Sequence, residues 1–422
     1  MNIYFETYGC AANQNNTEIM SGLVKKAGHK ITELNNAEIV VINSCIVKGP
    51  TENKVKSRIL KMQKLGKIVI VAGCMPNLRK NELKLSRVYL LGTKNILDLP
   101  KLLSSMKNIL IDKCEVKISK EKIPKNKVIG ITQISEGCLG NCTYCATKLA
   151  KGDLYSFSES DILASIKNDI KNGCKEIWIT SQDNSAYGLD KGKYRLPELL
   201  RKILKIDNEF YLRIGMMNPN HLMKFKDEMI EIFKDPKVYK FLHIPCQSGS
   251  NKILKEMNRS YTSEEFIELA KDFKKHIPNI TFSTDIIVGF PGETEKDFQD
   301  SLEILKMVRP GVLNLSRYWA MRGTKAANMK QVPSEVSKKR AAKTQFMFKS
   351  LIDNSGWIGW QGQALVNEKT KQGFFARNSS YKRILIKSKK DIFGKFLDIK
   401  ISSLSKNYLL GNIIKNKKDK NK

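Results

Sequence analysis

The sequence predicts an α/β protein that ends in a small β-barrel, and three observations support this fold class. Short runs of β-type residues alternate with amphipathic stretches through most of the chain, which is typical of parallel sheets whose strands are joined by helices. Beyond Gly356 the pattern changes to closely spaced alternating strands. The chain has 422 residues, more than one core usually contains, so we expect two or three domains.

Residues 1–110 are predicted to form the first domain, a small α/β layer around a parallel sheet. Cys10, Cys45 and Cys74 each come shortly after one of its predicted strands. Because ligands of open α/β sheets gather at the carboxyl ends of the strands, we expect these three cysteines to converge. The predicted strands cover residues 3–7, 39–43 and 68–72, and the predicted helices cover residues 17–28, 51–65 and 95–107.

A Lys-rich stretch, residues 111–128, is predicted to link this domain to a second α/β array. The array covers residues 129–353 and ends in a basic helix at 334–353. Its β/α units predict a partial (β/α)6 barrel with the active site at the carboxyl ends of the strands. The predicted strands are 129–134, 176–180, 211–215, 241–244, 281–288 and 312–316, and the predicted helices include 159–172, 196–205, 222–234, 263–275 and 294–308.

Residues 354–416 are predicted to form a β-barrel of the size of oligonucleotide-binding barrels. A charged tail is expected at residues 417–422. The predicted barrel strands cover residues 362–366, 374–377, 383–386, 396–402 and 408–414.

The formal net charge of +32 favours a nucleic-acid partner, because an excess of this size attracts polyanions. The alternative is a solvated lysine-rich surface. No apolar run approaches the roughly 20 residues of a membrane span, so we expect no membrane contact. The nine cysteines are an odd number in a long chain, which argues against a disulfide framework and favours a reducing cytoplasm.

The most specific motif places Cys138, Cys142 and Cys145 on one short loop that contains Gly140. Three thiolates on such a loop can bind one face of a 4Fe–4S cluster and leave the fourth iron open for a ligand. Zinc is the alternative. Structural zinc prefers four protein ligands in two short pairs, and no partner pair lies nearby in the sequence.

This spacing resembles that of the radical S-adenosylmethionine enzymes, and Tyr144 matches the aromatic residue usual within their motif. The resemblance implies that the open iron chelates the amine and carboxylate of S-adenosylmethionine. One electron from the cluster then releases a 5′-deoxyadenosyl radical.

The cysteines of the first domain extend the resemblance to the methylthiotransferases, the MiaB, MtaB and RimO group. In that family the first set of three, here Cys10, Cys45 and Cys74, binds an auxiliary 4Fe–4S cluster. Residues 181–188 and 215–219 look like the archaeal and eukaryotic tRNA branch. Three residues depart from the family pattern without removing a ligand: Ser44, Cys246 and Lys325.

The resemblance implies an enzyme that adds a methylthio group to C2 of N6-threonylcarbamoyladenosine at position 37 of tRNA. It also implies two 4Fe–4S clusters, S-adenosylmethionine and an electron donor such as ferredoxin or flavodoxin, and we expect a monomer. A sister activity, methylthiolation of a ribosomal protein aspartate, is the nearest alternative. A non-catalytic RNA-binding or zinc protein is an alternative of a different class.

Four further residues are candidate contacts to the cofactor. Gln182, Gln247 and Ser248 lie at predicted strand ends, where they could hydrogen-bond the ribose or carboxylate of S-adenosylmethionine. They could equally satisfy backbone groups of the loops. Gly289 could line the adenine site, or it could belong to a simple turn before the next helix.

The C-terminal barrel resembles the TRAM RNA-binding module. Arg377, Lys382 and Arg383 lie beside aromatic residues, a combination suited to phosphate contacts and base stacking. A lysine-rich strand surface over an aromatic core is the alternative interpretation.

Overall fold

The computed structural model describes residues 1–46, 49–111, 116–118 and 120–414. The predicted fold class is confirmed: a parallel sheet, a six-stranded partial barrel and a closed β-barrel follow one another along the chain. The predicted tail at 417–422 and part of the predicted linker lie outside the described residues. Among the described residues, none of the helices has the length and apolar character of a membrane span.

The first domain is a five-stranded parallel sheet in the order β2-β1-β3-β4-β5, with helices on both faces. The central strands are buried on both sides, as parallel sheets require. The strands are β1 (Asn2–Thr7), β2 (Lys30–Ile31), β3 (Ile39–Ser44), β4 (Ile68–Gly73) and β5 (Val88–Gly92), and the helices are α1 (Ala11–Lys26), α2 (Gly49–Lys64), α3 (Cys74–Arg79) and α4 (Leu99–Ser105).

Helix α1 begins at Ala11 rather than at residue 17, and its first turns are buried although they are polar. The buried asparagines donate to backbone carbonyls of neighbouring segments. Asn13 Nδ2 donates to Tyr8 O and Ser44 O at 2.9 Å, and Asn15 Nδ2 donates to Ile131 O at 2.7 Å. Asparagine usually favours caps and turns over helix interiors. The hydrogen bonds to distant segments therefore stabilise these asparagines inside the first turns of α1.

The second domain is an arc of six parallel strands in two three-stranded sheets, joined by a parallel bridge between Leu212 and Val238. Its strands are β6 (Ile129–Gln133), β9 (Glu176–Thr180), β10 (Tyr211–Ile214), β11 (Phe241–His243), β12 (Thr281–Val288) and β13 (Val312–Arg317), and a hairpin pairs β7 (Ser135–Glu136) with β8 (Tyr155–Ser156). The helices are α5 (Ala146–Lys151), α6 (Glu159–Lys171), α7 (Leu196–Leu204), α8 (Pro219–Leu222), α9 (Lys226–Lys234), α10 (Asn251–Glu256), α11 (Ser263–His276), α12 (Glu295–Val308) and α13 (Ser334–Leu351).

The third domain is a closed barrel in the order β14-β15-β16-β18-β17. It packs against the beginnings of the partial-barrel strands, around Val128, Tyr211 and Phe241. Its strands are β14 (Gln361–Thr370), β15 (Gly373–Asn378), β16 (Arg383–Ile386), β17 (Phe396–Leu404) and β18 (Leu409–Ile413).

A buried carboxylate joins the second and third domains. Glu176 accepts hydrogen bonds from Trp178 Nε1 at 2.6 Å and Tyr239 OH at 3.2 Å within the partial barrel. From the closed barrel it accepts from Asn367 Nδ2 at 2.6 Å and Tyr381 OH at 3.3 Å. These four donors compensate the burial of the charge. The closed barrel therefore covers the end of the partial barrel opposite the strand carboxyl ends.

The described part of the predicted linker packs between the first two domains. Lys122 Nζ lies 2.6 Å from Asp169 Oδ2, and Ile123 N donates to Glu18 O at 2.9 Å. Burial raises the pKa of Glu18 from its usual value to about 7, although Lys125 N donates to its carboxylate. This interface therefore contains an acid that is easier to protonate in the folded chain than in the unfolded chain.

We expect Glu18 to make the folded chain less stable as the pH rises from about 5 to about 8. Between about pH 5 and pH 7 the Glu18 carboxyl is protonated in the folded chain but ionised in the unfolded chain, so proton binding stabilises the folded state. This stabilisation is lost as the pH rises through the folded pKa. Relative to Glu18→Gln, the wild type should lose on the order of 1–3 kcal/mol of unfolding free energy over this range. Urea denaturation of both proteins at several pH values measures this difference, and a pH-independent difference would contradict the prediction.

Candidate active site

The loop of Cys138, Cys142 and Cys145 lies at the carboxyl end of β6, where the sequence predicts the active site. Gly140 N donates to Cys138 Sγ at 3.3 Å. A Cβ atom on Gly140 would lie 3.4 Å from Cys138 Sγ and 3.7 Å from Cys142 Sγ. Glycine therefore keeps the space between these two thiols open.

Cys10, Cys45 and Cys74 converge at the carboxyl edge of the first sheet, although their strands are distant in sequence. Gly9 has a φ of +111°, and a Cβ atom there would lie 2.9 Å from Cys45 Sγ. Only glycine lets the backbone before Cys10 approach Cys45 so closely. Cys45 and Cys74 are buried and Cys10 is exposed, so the set has one accessible side.

Ser44 helps to hold this set together, although it departs from the family pattern. Its Oγ donates to Ala72 O at 2.6 Å and accepts from Met75 N at 3.2 Å. These two bonds connect the end of β3 to both sides of Cys74. Serine therefore supplies the hydroxyl contacts that this position needs.

Helices α3 and α5 connect the two sets of cysteines. Helix α3 begins at Cys74, and Cys145 is the residue before the first turn of α5. Cys74 packs in a small apolar cluster with Ala146 and Ala150 of α5. Asn77 Nδ2 donates to Ala150 O at 2.9 Å. The spacing between the two sets is therefore fixed by packed helices rather than by loops.

Burial makes two of these thiols hard to ionise. It raises the pKa of Cys74 to about 12, against the opposing charge of Lys151, and Cys45 and Cys10 add to the rise. It also raises the pKa of Cys138 to about 12, with a contribution from the charge of Asp183. A buried thiolate of this kind needs the positive charge of a metal centre beside it. Binding of a metal centre by Cys74 or Cys138 would therefore release protons.

The donor chemistry fits iron–sulfur clusters. Each set offers three thiol sulfurs, the soft ligands that these clusters use. Among the described residues, no three His, Cys, Asp or Glu side chains lie close enough together to hold one metal ion. Three sulfur ligands around an open space suit a cluster that keeps one iron free for another ligand.

A cavity of about 260 Å³ lies beside Cys145 at the carboxyl ends of β12 and β13. Its walls include Tyr144 of the cysteine loop, Ile287 of β12 and Pro50 of the first domain. Trp319 closes it against the first domain, because a Cβ atom on Gly49 would lie 2.1 Å from its ring. The mostly apolar and aromatic walls suit a planar base or the adenosyl part of a cofactor.

The four predicted cofactor contacts lie outside this cavity lining. Gln182 Oε1 is buried and accepts no hydrogen bond from the described residues. Gln247 has a φ of +69°, and its backbone N donates to Asp285 O at 2.8 Å. Ser248 Oγ accepts from Ser250 N at 3.2 Å, and Gly289 N donates to Glu293 Oε2 at 2.7 Å.

The three predicted RNA contacts are held within the closed barrel. Arg377 Nη1 donates to Tyr381 O at 3.0 Å. Burial lowers the pKa of Lys382, whose Nζ lies 3.4 Å from Asn354 Oδ1. Arg383 lies 3.5 Å over the ring of Phe375 and pairs with Glu368 at 2.9 Å. All three side chains are half-buried, and each has a polar partner inside the domain.

One side chain at the cysteine loop was not predicted from the sequence. Arg259 Nη1 donates to Cys142 Sγ at 3.2 Å. The two residues are far apart in sequence, and no local motif connects them.

Two protein families match separate parts of the chain. The Radical SAM superfamily matches residues 132–305, and the uncharacterized protein family UPF0004 matches residues 2–91. A probable threonylcarbamoyladenosine tRNA methylthiotransferase of Pyrococcus horikoshii is 41% identical, over 98% of this chain and 99% of that protein. A threonylcarbamoyladenosine tRNA methylthiotransferase of Danio rerio is 34% identical, over 97% of this chain and 78% of that protein.

The fold is also shared with a solved structure. The radical S-adenosylmethionine methyltransferase TsrM from Kitasatospora setae, with a tryptophan substrate and a S-adenosylmethionine analogue bound, superposes with a TM-score of 0.57 at 11% identity. The match covers 84% of this chain and 90% of that chain.

Proposed function

The chain belongs to the threonylcarbamoyladenosine tRNA methylthiotransferase family, and on that premise we propose that it adds a methylthio group to C2 of N6-threonylcarbamoyladenosine at position 37 of tRNA. The observation that supports this most directly is the pair of three-cysteine sets joined by α3 and α5, with a cavity beside Cys145 that Pro50 of the first domain also lines. A sulfur insertion needs a radical source and a sulfur source close together, and this arrangement offers a place for each.

In this proposal Cys138, Cys142 and Cys145 hold the radical S-adenosylmethionine cluster, and Cys10, Cys45 and Cys74 hold the auxiliary cluster. When bound, the clusters and S-adenosylmethionine supply radical chemistry and sulfur, which protein side chains lack. The chain itself supplies the position of both groups and a cavity with apolar walls. Such walls exclude water, and water would otherwise compete for reactive species.

Tyr144 and Trp319 are proposed to hold planar groups in the cavity, since both rings contribute to its walls. Gln182 remains a proposed hydrogen-bond partner of the cofactor, because its Oε1 lacks a donor among the described residues. Gln247, Ser248 and Gly289 are proposed to shape the strand ends around the cofactor. Their backbone or hydroxyl groups already have the partners described above.

The tRNA is proposed to bind through the basic surface of the chain, whose net charge is +32. Arg377, Lys382 and Arg383 of the closed barrel remain proposed contacts to this RNA, although each already has a polar partner inside the domain. Each radical cleavage consumes one electron, so we propose a small donor such as ferredoxin or flavodoxin. We also propose a monomer in a reducing cytoplasm, and the eight free cysteines of the described residues support the reducing compartment.

Mass spectrometry of tRNA nucleosides from a deletion strain tests this function. We expect the 2-methylthio derivative of N6-threonylcarbamoyladenosine to disappear and its unmodified precursor to accumulate. The gene encoding wild-type protein should restore the derivative, and a gene with all three of Cys138, Cys142 and Cys145 replaced by alanine should not. Unchanged tRNA nucleosides together with a lost methylthio mass on a small-subunit ribosomal protein would instead support the sister activity.

A further inference from the structure

We propose that Arg259 is a positioning residue for the cluster at Cys138, Cys142 and Cys145, and that its guanidinium makes this cluster easier to reduce. This inference rests on the proposed function only in taking Cys142 as a cluster ligand. The direct contact is the 3.2 Å hydrogen bond from Arg259 Nη1 to Cys142 Sγ. When Cys142 is a thiolate, this bond joins two opposite charges and is of the stronger, charge-assisted kind.

The rest of the guanidinium is fixed by two polar partners. Arg259 Nη2 donates to Asn218 Oδ1, and Arg259 Nε donates to Tyr261 OH at 3.1 Å. The Tyr261 hydroxyl donates in turn to Cys246 O at 2.8 Å, which leaves its oxygen free to accept from Arg259. The guanidinium thus has little freedom to turn away from Cys142.

A buried carboxylate stands behind Asn218. Asn218 Nδ2 donates to Asp183 Oδ2 at 2.7 Å, and Asn218 N donates to Asp183 Oδ1 at 3.1 Å. Asp183 is only 3% exposed. These bonds fix which end of the Asn218 amide faces Arg259, so that its carbonyl oxygen accepts the guanidinium.

The backbone beside Arg259 is also attached to the cysteine loop. Thr143 N donates to Met257 O at 3.2 Å, and Asn258 Nδ2 donates to Asn141 O at 3.0 Å. Asn258 has a φ of +57°, the left-handed turn that ends α10 and directs the chain to Arg259. Both the side chain and the backbone of this segment therefore hold the loop around Cys142.

The physical consequence concerns reduction of the cluster. Reduction adds negative charge, so a fixed cation stabilises the reduced state more than the oxidised state. Hydrogen bonds to the sulfurs are among the factors that set the potentials of iron–sulfur clusters. Removal of Arg259 should therefore make reduction of this cluster less favourable and leave the cluster at Cys10, Cys45 and Cys74 unchanged.

A redox titration of the two-cluster protein, followed by electron paramagnetic resonance, tests the inference. The signal that responds to added S-adenosylmethionine reports the cluster at Cys138, Cys142 and Cys145, where the proposed function places this cofactor. In Arg259→Met we expect its equilibrium constant for reduction to fall about tenfold, which is a shift of about 59 mV to lower potential for one electron. Arg259→Lys should shift less, because the charge remains while the fixed guanidinium geometry is lost.

Two further variants keep the test decisive. Tyr261→Phe removes one partner of the guanidinium but preserves the ring, so it should shift the same signal in the same direction by a smaller factor. It replaces Arg259→Met as the deciding variant if that protein fails to hold both clusters. Arg195→Met is the matched control, since Arg195 is paired with Glu159 away from the loop and should leave both signals unchanged.

An unchanged potential in a fully loaded Arg259→Met protein would overturn the inference, and so would an equal shift of both cluster signals. The proposed function fails separately. A wild-type protein that reduces its clusters but leaves N6-threonylcarbamoyladenosine of tRNA unchanged would count against the reaction and not against Arg259.

Discussion

Replacing Cys138 with alanine is expected to abolish the reductive cleavage of S-adenosylmethionine. Cys138 lies on the loop whose thiols surround the open space at Gly140, and two remaining thiols would hold a cluster poorly. The iron content after anaerobic reconstitution should fall from about eight to about four atoms per chain, as expected for loss of one 4Fe–4S cluster. Chromatographic detection of 5′-deoxyadenosine measures the cleavage.

Cys174→Ala is the matched control for this prediction. Cys174 is buried in the main apolar core of the second domain, away from both cysteine sets. The control should keep about eight iron atoms per chain and should still cleave S-adenosylmethionine. If Cys138→Ala retained the cleavage activity of this control, Cys138 would not be a ligand of the radical cluster.

Replacing Cys74 with alanine is expected to separate cleavage from sulfur insertion. The variant should still release 5′-deoxyadenosine, because the loop of Cys138, Cys142 and Cys145 is intact. It should transfer no methylthio group to tRNA, because one proposed ligand of the auxiliary cluster is lost. Cleavage measured by chromatography and methylthiolation measured by nucleoside mass spectrometry, on the same sample, give the two results independently.

Cys10→Ala tests the same separation without disturbing helix packing. Cys74 contacts α5, so its removal could loosen the neighbouring site, whereas Cys10 is exposed. The same loss of methylthiolation with retained cleavage is therefore expected in both variants. Methylthiolation that survives in Cys10→Ala would rule out this cysteine as an essential ligand.

The sequence predicted most strands of the sheet and the partial barrel to within one or two residues, because their apolar runs are continuous. It missed β2 and β5 of the first sheet and the short helices α3, α5 and α10. Apart from β5, which is an apolar run as long as the predicted β6, these elements are brief, and contacts with distant segments stabilise them. Of the predicted helix at 222–234, Leu222 ends α8, the next three residues form a turn, and the remainder is α9.

In the candidate site, too, features set by neighbouring residues in the sequence were predicted, and contacts between distant residues were not. The spacing of Cys138, Cys142 and Cys145 is local, so the sequence alone identified it. The contact of Arg259 with Cys142 joins residues 117 positions apart, and no periodicity encodes such a contact. The basic residues of the closed barrel were recognised as a pattern, but their partners, such as Glu368 beside Arg383, depend on strand pairing.

The packing of α3 on α5 has a consequence for how such chains evolve. Ala146 and Ala150 lie against Cys74, and close packing leaves little room for a larger side chain on either helix. Cys74 cannot change to compensate, because it is also a proposed cluster ligand. Ala146 and Ala150 should therefore stay small among relatives, and the first two domains should be inherited as a single unit rather than exchanged by recombination.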